Sequence, residues 1–377
     1  MNERPKVLLL IPHLGGGGAE RVIALIAAGL SRAKYDLHLA LVTEARAPAD
    51  PFPPGLTLHL LGVSRVRSAG PRLLRLVRRL RPQLIVSGIF HLNFLVLLLR
   101  PLFPASTRVV VRQNATVSAS LAFDRLPFYT RLLYRLLYRR ADRVICQSWA
   151  MAEDLAGELG IQKSRLAVLP NPLDVEAIQD AARPSPELRP HSNPWPGLGP
   201  HLLAVGRLSP EKGFDLLLQA LALVREQIPS ANLLIAGKGP EETALKALCS
   251  RLDLDPAVRF AGQVEKPHAL FPGASAFVLS SRHEGMPNAL LEAAAGGLPI
   301  VALPASAGVT DLLRGQPGAW LAAEISAAAL ANSLLQALRS LQPGQRFDHP
   351  FVSEFRIEPA LRAWEDLFDS VLGERES

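Results

Sequence analysis

Two glutamates, Glu284 and Glu292, stand eight positions apart in the stretch SRHEGMPNALLEAAAGG, residues 281–297. A Gly-Met-Pro break separates the first from an apolar helical pattern that holds the second. No histidine or cysteine cluster accompanies them, so the pair does not read as a metal centre. A carboxylate accepts paired hydrogen bonds from vicinal hydroxyls. One acid on a loop and one inside the following helix therefore suit two hydroxyl-bearing rings of a single ligand. A ribose at one end and a sugar at the other fit that geometry, with a diphosphate between them at the helix N-terminus.

Two further stretches carry chemistry of the same kind. In VGRLSPEKGFDLLLQAL (205–221) a strand ends at Gly206, and Arg207 and Lys212 follow before a helix near Phe214. Two cations on one strand-end loop can hold a diphosphate, arginine as a planar fork and lysine as a point charge. The spacing is not that of a P-loop, and a solvated surface loop is the plain alternative. In GGGGAER (15–21) four glycines follow the first strand and open the first helix. They allow close backbone approach by a ligand, and the helix start offers free N–H groups to an anion. The pattern is not GxGxxG, so a dinucleotide fingerprint has little support. By contrast, the DLD at Asp253–Asp255 only imitates a metal motif. It sits before Pro256 between a helix and a strand, and it reads as a turn.

The elements that must position these residues follow from the alternation of apolar runs. KVLLLIP (6–12), DLHLALVT (36–43), QLIVSG (83–88), RVVVRQN (108–114) and RVICQS (143–148) read as strands. Helical patterns lie between them, including 19–32 and 150–160. The alternation restarts with HLLAVGR (201–207), ANLLIAGKG (231–239), RFAGQV (259–264), AFVLSS (276–281) and PIVALP (299–304). Strands alternating with helices imply βαβ units and parallel sheets covered on both faces. The expected fold is α/β, with two Rossmann-like doubly wound domains facing each other across a ligand cleft. Their expected limits are 1–182 and 201–345. The proline-dense stretch 183–200 serves as linker, and the segment 346–377 holds a terminal amphipathic helix that packs back across the hinge.

Composition sets further bounds. The 377 residues include 49% hydrophobic and 20% charged side chains, an ordinary globular balance. Cys146 and Cys249 match no zinc or redox spacing and read as buried thiols of a reducing compartment. The first apolar run, Val7 to Ile11, is too short for a signal core. The run 88–104 is interrupted by His91, Asn93 and Arg100 and falls short of the roughly 20 residues a bilayer requires, so it reads as a core helix. Charge is lopsided. Residues 1–180 carry 24 Lys and Arg against 13 Asp and Glu, whereas the remainder is net acidic. Arginine concentrates in 64–82 and again in 125–143, where Phe128, Tyr129, Tyr134 and Tyr138 interleave with it. The second reads as an amphipathic helix with an aromatic, basic surface, which suits an anionic membrane interface. A solvated face with arginine stems over the core is the alternative. Nucleic acid has no supporting motif.

Taken in order, GGGGAER, NPLD (171–174), VGRLSPEKGFDLLLQA, LLIAGKGPEE (234–242), RFAGQV and SSRHEGMPNALLEAAAGGLPIVA resemble the retaining glycosyltransferases of family 4, enzymes of GT-B fold. Glu284 and Glu292 match the E-x7-E signature of that family. The resemblance covers nearly the whole chain and is closest to transferases of bacterial polysaccharide and lipid-linked glycan synthesis. It implies that Arg207 and Lys212 bind the diphosphate of a nucleotide-sugar donor, with Gly206 beside them. It implies that Glu284 meets the donor sugar, Glu292 the ribose, and that Gly285, Met286, Pro287 and Asn288 help hold the donor. Gly237 and Gly239 would lie near the base. Gly16, Gly17 and Glu20, with Arg112 and Asn114, would serve phosphate or acceptor, and the helix around Trp364 would cross back to the first domain. Many relatives place a histidine after the strand matching RVVVRQN. Here the residues are Arg112-Gln113-Asn114, and His91 is the nearest histidine by chain order.

The reaction the resemblance implies uses no cofactor and no metal, the nucleotide sugar being a co-substrate. No carboxylate is placed as the nucleophile of a double displacement. The leaving diphosphate would instead help deprotonate the acceptor, with Arg207, Lys212 and helix dipoles stabilising charge. A UDP-linked hexose or N-acetylhexosamine is the commonest donor in such enzymes. A lipid-linked or oligosaccharide acceptor at the inner membrane face is the leading expectation. A small acceptor such as a sugar phosphate, or a non-catalytic nucleotide-sugar binder, are the alternatives.

Overall fold

The computed structural model describes residues 4–13, 17–43, 53–123, 129–183 and 194–373. Its first sheet is built from β1 (Lys6–Ile11), β2 (Asp36–Leu41), β3 (Leu56–Leu60), β4 (Leu84–Ser87), β5 (Arg108–Arg112), β6 (Arg143–Cys146) and β7 (Leu166–Val168). Every pairing is parallel, and the order is β3-β2-β1-β4-β5-β6-β7. A parallel sheet must be covered on both faces, which is why its central strands are near-continuous Leu, Val and Ile. Leu8 and Leu10 point into one apolar layer and Val7, Leu9 and Ile11 into the other. Helices α1 (Gly18–Gly29), α2 (Gly70–Leu80), α3 (Phe90–Leu99), α4 (Val117–Phe123), α5 (Tyr129–Tyr138) and α6 (Trp149–Leu159) connect these strands.

A second sheet follows α7 (Val175–Ala181). It contains β8 (His201–Val205), β9 (Asn232–Ala236), β10 (Val258–Gly262), β11 (Ala276–Leu279), β12 (Ile300–Ala302) and β13 (Ala319–Leu321). The strands are again parallel, in the order β10-β9-β8-β11-β12-β13. Its helices are α8 (Phe214–Gln227), α9 (Glu242–Arg251), α10 (Asn288–Ala295), α11 (Ala307–Leu313) and α12 (Ala327–Ser340), and α13 (Ile357–Gly373) ends the described chain. In both sheets chain order reverses at one point, between β1 and β4 and between β8 and β11. Ligands of doubly wound sheets bind outside the carboxyl ends of the strands at that point.

The chain divides into two units at different places from those the sequence indicates. Residues 1–172 and 354–377 form one unit and residues 173–353 the other. The change falls at Pro172–Leu173, before the proline-dense stretch, because α7 buries Val175 and Ile178 against α10 and the 3-10 turns at Pro267–Gly273. Residues 184–193 of the expected linker lie outside the described residues. The remainder is anchored by Trp195, buried and stacked on His201 at a centroid distance of 4.5 Å.

Helix α13 is part of the first unit. Trp364, Phe368 and Val371 are fully buried in the layer that α1 covers. Glu365 accepts from Ser31 N at 3.0 Å and pairs with Lys34 at 2.8 Å. The edge strands β3, β7 and β13 are additions that the apolar runs did not reveal. Each is three to five residues long and half-exposed, so its hydrophobic pattern is diluted.

The aromatic surface expected of residues 125–143 needs correction. Tyr134 and Tyr138 do not face solvent: both are buried, and burial lifts the Tyr138 phenol well above its ordinary pKa. The outward face of α5 mixes leucine with arginine, with Leu132 58% and Leu136 52% exposed beside Leu133, Tyr129, Arg131 and Arg135. Phe128 lies outside the described residues. His91, the nearest histidine to Arg112 by chain order, is exposed at the start of α3, its ring tilted against that of Phe90.

Candidate functional site

The order reversal between β8 and β11 places two loops side by side. Residues 206–213 leave the carboxyl end of β8, and residues 280–287 leave that of β11. Backbone and side chains staple them together. Arg282 N donates to Glu211 O at 2.8 Å, and Ser280 Oγ donates to Lys212 O at 2.9 Å. The Arg282 guanidinium grips the Asp215 carboxylate through both nitrogens, at 2.7 and 2.6 Å. Burial would raise the Asp215 pKa, but the bonds from Arg282 and from backbone amides outweigh it and hold the acid below its usual range. Gly213 has φ +60°, and a Cβ there would stand 2.1 Å from Ser280 O, so this contact between loops requires glycine.

Within that frame the expected residues converge. Lys212 Nζ donates to Glu284 Oε1 at 2.5 Å, and Ser281 Oγ donates to the same oxygen at 2.7 Å. Glu284 N is fixed by Ala305 O at 3.1 Å. Acid and lysine therefore form one unit, where the sequence suggested separate duties on sugar and diphosphate. The Lys212 stem crosses over Gly206, 3.7 Å from the position of a Cβ there. Arg207 is exposed, and its guanidinium has no partner among the described residues.

Helix α10 starts beside them. Pro287 is its N-cap and, having no side-chain hydrogen-bonding group, makes no side-chain cap to the helix start. Gly285 and Met286 precede it, and Ser306 Oγ reaches Gly285 O at 3.5 Å. Glu292 lies in the second turn, 6% exposed, with Oε2 3.1 Å from His268 Nε2. A buried carboxylate is stable only where partners meet it. His268, on the Pro267–Gly273 turns, is the partner that sequence reasoning missed, since 24 residues separate the two.

Gly237 and Gly239 serve packing between loops. Gly237 has φ +151°, and an added Cβ would stand 1.8 Å from Gly206 O; at Gly239 it would stand 2.1 Å from Leu208 O. They bring the β9 loop against the β8 loop, where Leu208 N donates to Lys238 O and Glu241 N to Leu208 O.

The residues of the first unit are placed separately. Gly16 lies outside the described residues. Gly17 is the N-cap of α1 without a capping side chain, and Glu20 is in the first turn. Asn114, partly exposed, donates to Gly88 O at 2.5 Å. Arg112 departs from the expected role, since it is 2% exposed and its guanidinium is occupied by Asn114 and by Asn171 Oδ1 at 2.6 Å. Burial lowers its pKa to about 10, with Cys146 and Glu20 opposing. It braces the NPLD stretch through Asn171. Trp149, exposed at the start of α6 and the carboxyl end of β6, offers a flat apolar surface outside the motifs quoted above.

Asp253, of the DLD stretch, takes a left-handed backbone (φ 54°) in a turn, as its sequence context suggested. Cys146 and Cys249 are free and buried. Among the described residues no helix is long and apolar enough to cross a membrane.

Comparison with known proteins agrees with this geometry. Residues 16–177 match the family described as Glycosyltransferase Family 4, and residues 199–340 match Glycosyl transferases group 1. The N-acetylgalactosamine-N,N'-diacetylbacillosaminyl-diphospho-undecaprenol 4-alpha-N-acetylgalactosaminyltransferase of Campylobacter jejuni is 27% identical over 89% of this chain and 90% of its own. The lipopolysaccharide core biosynthesis glycosyltransferase LpsE of Rhizobium meliloti is 30% identical over 46% of each chain. In fold, the chain is similar to Anabaena HepE, solved in complex with UDP and glucose. The TM-score is 0.78, the identity is 19%, and the match covers 97% of this chain and 100% of that one. Two parallel-sheet units with this strand order are the GT-B architecture, and the two family matches between them take in most of the sequence. The chain belongs to the glycosyltransferases of family 4, group 1, and is a hexosyltransferase.

Proposed function

We propose that the enzyme transfers a sugar, with retention, from a nucleotide-diphosphate sugar to a lipid-linked or oligosaccharide acceptor in bacterial cell-surface glycan synthesis. The observation that carries this reading is the cluster at the β8–β11 reversal. Arg207, without a partner among the described residues, follows β8 five positions before Lys212, which is shared with Glu284, and Glu284 lies four residues before α10, whose N-cap supplies no side-chain cap. Cations and a helix N-terminus together make a diphosphate site. Glu284 on one side and buried Glu292 on the other give it two hydroxyl-accepting ends.

In this reading the diphosphate settles on Arg207, Lys212 and the amides of α10, and those charges meet the negative charge that develops as the glycosidic bond breaks. The leaving phosphate oxygen takes the acceptor proton, and attack occurs on the face it leaves. Cations of the chain supply this stabilisation, so we propose that no metal is required. Relatives named for diphospho-undecaprenol and lipopolysaccharide substrates support a lipid-linked acceptor, and UDP in HepE supports a UDP-linked donor. The basic first half and the leucine face of α5 support peripheral docking on an anionic inner membrane face.

A thermal-shift series with UDP, GDP, ADP, TDP and CDP, each with and without EDTA, tests the donor reading. A nucleotide at about 100 times its Kd stabilises by roughly 2.7 kcal/mol. UDP alone should shift the wild type, unaffected by EDTA, and the shift should shrink in Glu292→Ala. A shift that EDTA abolishes would overturn the metal-free reading, and no shift with any nucleotide would overturn the site.

A further inference from the structure

At the carboxyl end of β5, beside β6, three polar residues follow one another: Arg112, Gln113 and Asn114. Ligands of a doubly wound sheet meet the loops at this end. Every polar group of Gln113 is engaged. Its N–H donates to Ile145 O at 2.9 Å, and its carbonyl accepts from Gln147 Nε2. Its side-chain Nε2 donates to Ala115 O at 2.8 Å, and its Oε1 accepts from Tyr138 Oη at 2.7 Å. A backbone carbonyl can only accept, so a single orientation of the Gln113 amide satisfies both ends.

Tyr138 closes α5, and α3 meets it there. Asn93 Nδ2 donates to Arg112 O at 2.9 Å and to Tyr138 Oη at 3.3 Å. Asn93, Gln113, Tyr138 and Gln147 are all buried. Burial keeps the Tyr138 phenol protonated, so it stays a donor to Gln113. Apolar side chains would fill this space without the need to partner every buried polar atom. A chain of satisfied polar groups instead fixes one geometry. Side chains from α3, from α5 and from the end of β6 thus converge on one three-residue loop.

What that loop presents is Asn114. Arg112 and Gln113 are buried, whereas Asn114 is partly exposed. Its Oδ1 accepts from the Arg112 guanidinium, and its Nδ2 spends one hydrogen on Gly88 O at 2.5 Å. These bonds fix the amide and leave the second Nδ2 hydrogen as a donor. We propose that Tyr138 is a positioning residue for sugar transfer: through Gln113 it sets the loop so that Asn114 Nδ2 donates to an oxygen of the acceptor. A neutral amide donor in a fixed orientation suits a sugar hydroxyl. The proposal deepens the acceptor reading above and rests on it.

The plain alternative is that the chain of bonds only satisfies buried groups and stiffens the unit. Tyr35 supplies the comparison. It is an equally buried phenol of the same unit, in the apolar layer on the opposite face of the sheet, and its Oη donates to Asp369 of α13. Loss of either hydroxyl should lower stability, but only loss of Tyr138 Oη should disturb Asn114. A misplacement of about 1 Å can cost on the order of a hundredfold in rate.

The test uses the full chain and compares transfer with donor hydrolysis, in which water takes the acceptor's place and the products are free sugar and UDP. The donor is whichever of UDP-glucose, UDP-galactose and their N-acetylated forms the wild type consumes. The acceptors are a lipid-linked saccharide and a sugar phosphate. Tyr138→Phe should lower the ratio of transfer to hydrolysis by roughly tenfold or more. Its UDP thermal shift should be unchanged, which shows a folded donor unit. Tyr35→Phe should lose a similar amount of Tm and keep the ratio. Asn114→Ala should lower the ratio as well, and Tyr138→Phe added to it should lower it no further. An unchanged ratio in Tyr138→Phe, or an equal fall in Tyr35→Phe, would overturn the proposal. So would additive losses in the double variant. Transfer to the sugar phosphate alone would overturn the lipid-linked reading, while the ratios on that acceptor still decide the role of Tyr138. Hydrolysis without transfer to either acceptor in the wild type would overturn both.

Discussion

Removal of the Glu284 carboxylate should separate turnover from nucleotide binding, because the acid and Lys212 are one unit. Glu284 is 12% and Lys212 26% exposed at the side chain, with 2.5 Å between charged atoms. A charge-assisted hydrogen bond of this kind contributes about 1.5–3 kcal/mol, and the partial exposure of the lysine places this one at the lower end. In Glu284→Ala the lysine loses its only described carboxylate partner and becomes fully available to a diphosphate. UDP affinity should therefore hold or rise by up to about tenfold, the equivalent of 1.4 kcal/mol. The donor sugar, however, loses a carboxylate that accepts from its hydroxyls. If that bond strengthens in the transition state by about 2–3 kcal/mol, kcat falls by roughly 30- to 150-fold. Lys212→Ala should act in the opposite sense, weakening UDP while leaving Glu284 on Ser281. The assay is UDP calorimetry on both single variants and the double variant, with single-turnover transfer to a lipid-linked acceptor. The cycle should give a coupling between the positions well above the few tenths of a kcal/mol of independent sites. Equal loss of UDP affinity in both single variants, with additive behaviour in the double, would refute the argument.

Other expectations concern the frame of the site. Gly237→Ala would set a Cβ 1.8 Å from Gly206 O at a backbone angle that L-residues avoid; a cost of about 2–3 kcal/mol should appear as a lowered Tm, and an unchanged Tm would count against the packing role. His268→Ala should reduce UDP affinity by about tenfold through loss of the polar contact that holds Glu292, with kcat at saturating donor unchanged; a fall in kcat alone would contradict it. Phe368→Ala removes a fully buried ring between Tyr35 and Trp364 and should cost about 3–5 kcal/mol in denaturant unfolding of the first unit. His349 is buried, with Nε2 donating to Leu298 O at 2.9 Å, and burial lowers its pKa. The unfolded chain then binds more protons than the folded one as pH drops through the ordinary histidine range, so stability should fall on acidification from pH 7 towards 5. A pH slope identical in wild type and His349→Gln would remove that histidine from the account.

The sequence on its own decided what depends on local order. Short apolar runs named ten of the thirteen strands among the described residues to within a few residues, because buried parallel strands must be continuously apolar. Gly206-Arg207, the lysine at 212 and the two glutamates were visible because each sits where a strand gives way to a helix, a place where few other residue choices work. The edge strands β3, β7 and β13 escaped, since they are short and half-exposed and carry mixed sequences.

Only the tertiary structure decided which distant residues share a space. His268 meets Glu292 because the turns at Pro267–Gly273 fold under α10, and no spacing rule predicts a contact across that loop. Arg112 looked available for phosphate until the fold buried it and spent it on Asn114 and Asn171. Tyr134 and Tyr138 looked like an aromatic surface, but α3 packs over them and turns the leucines of α5 outward. The same holds for the limit of the units. Prolines at 184–200 mark where helix and strand cannot persist, but α7 is assigned to the second unit by the apolar surface it buries there. Local propensity fixes elements. Burial decides which side chains remain free to do chemistry.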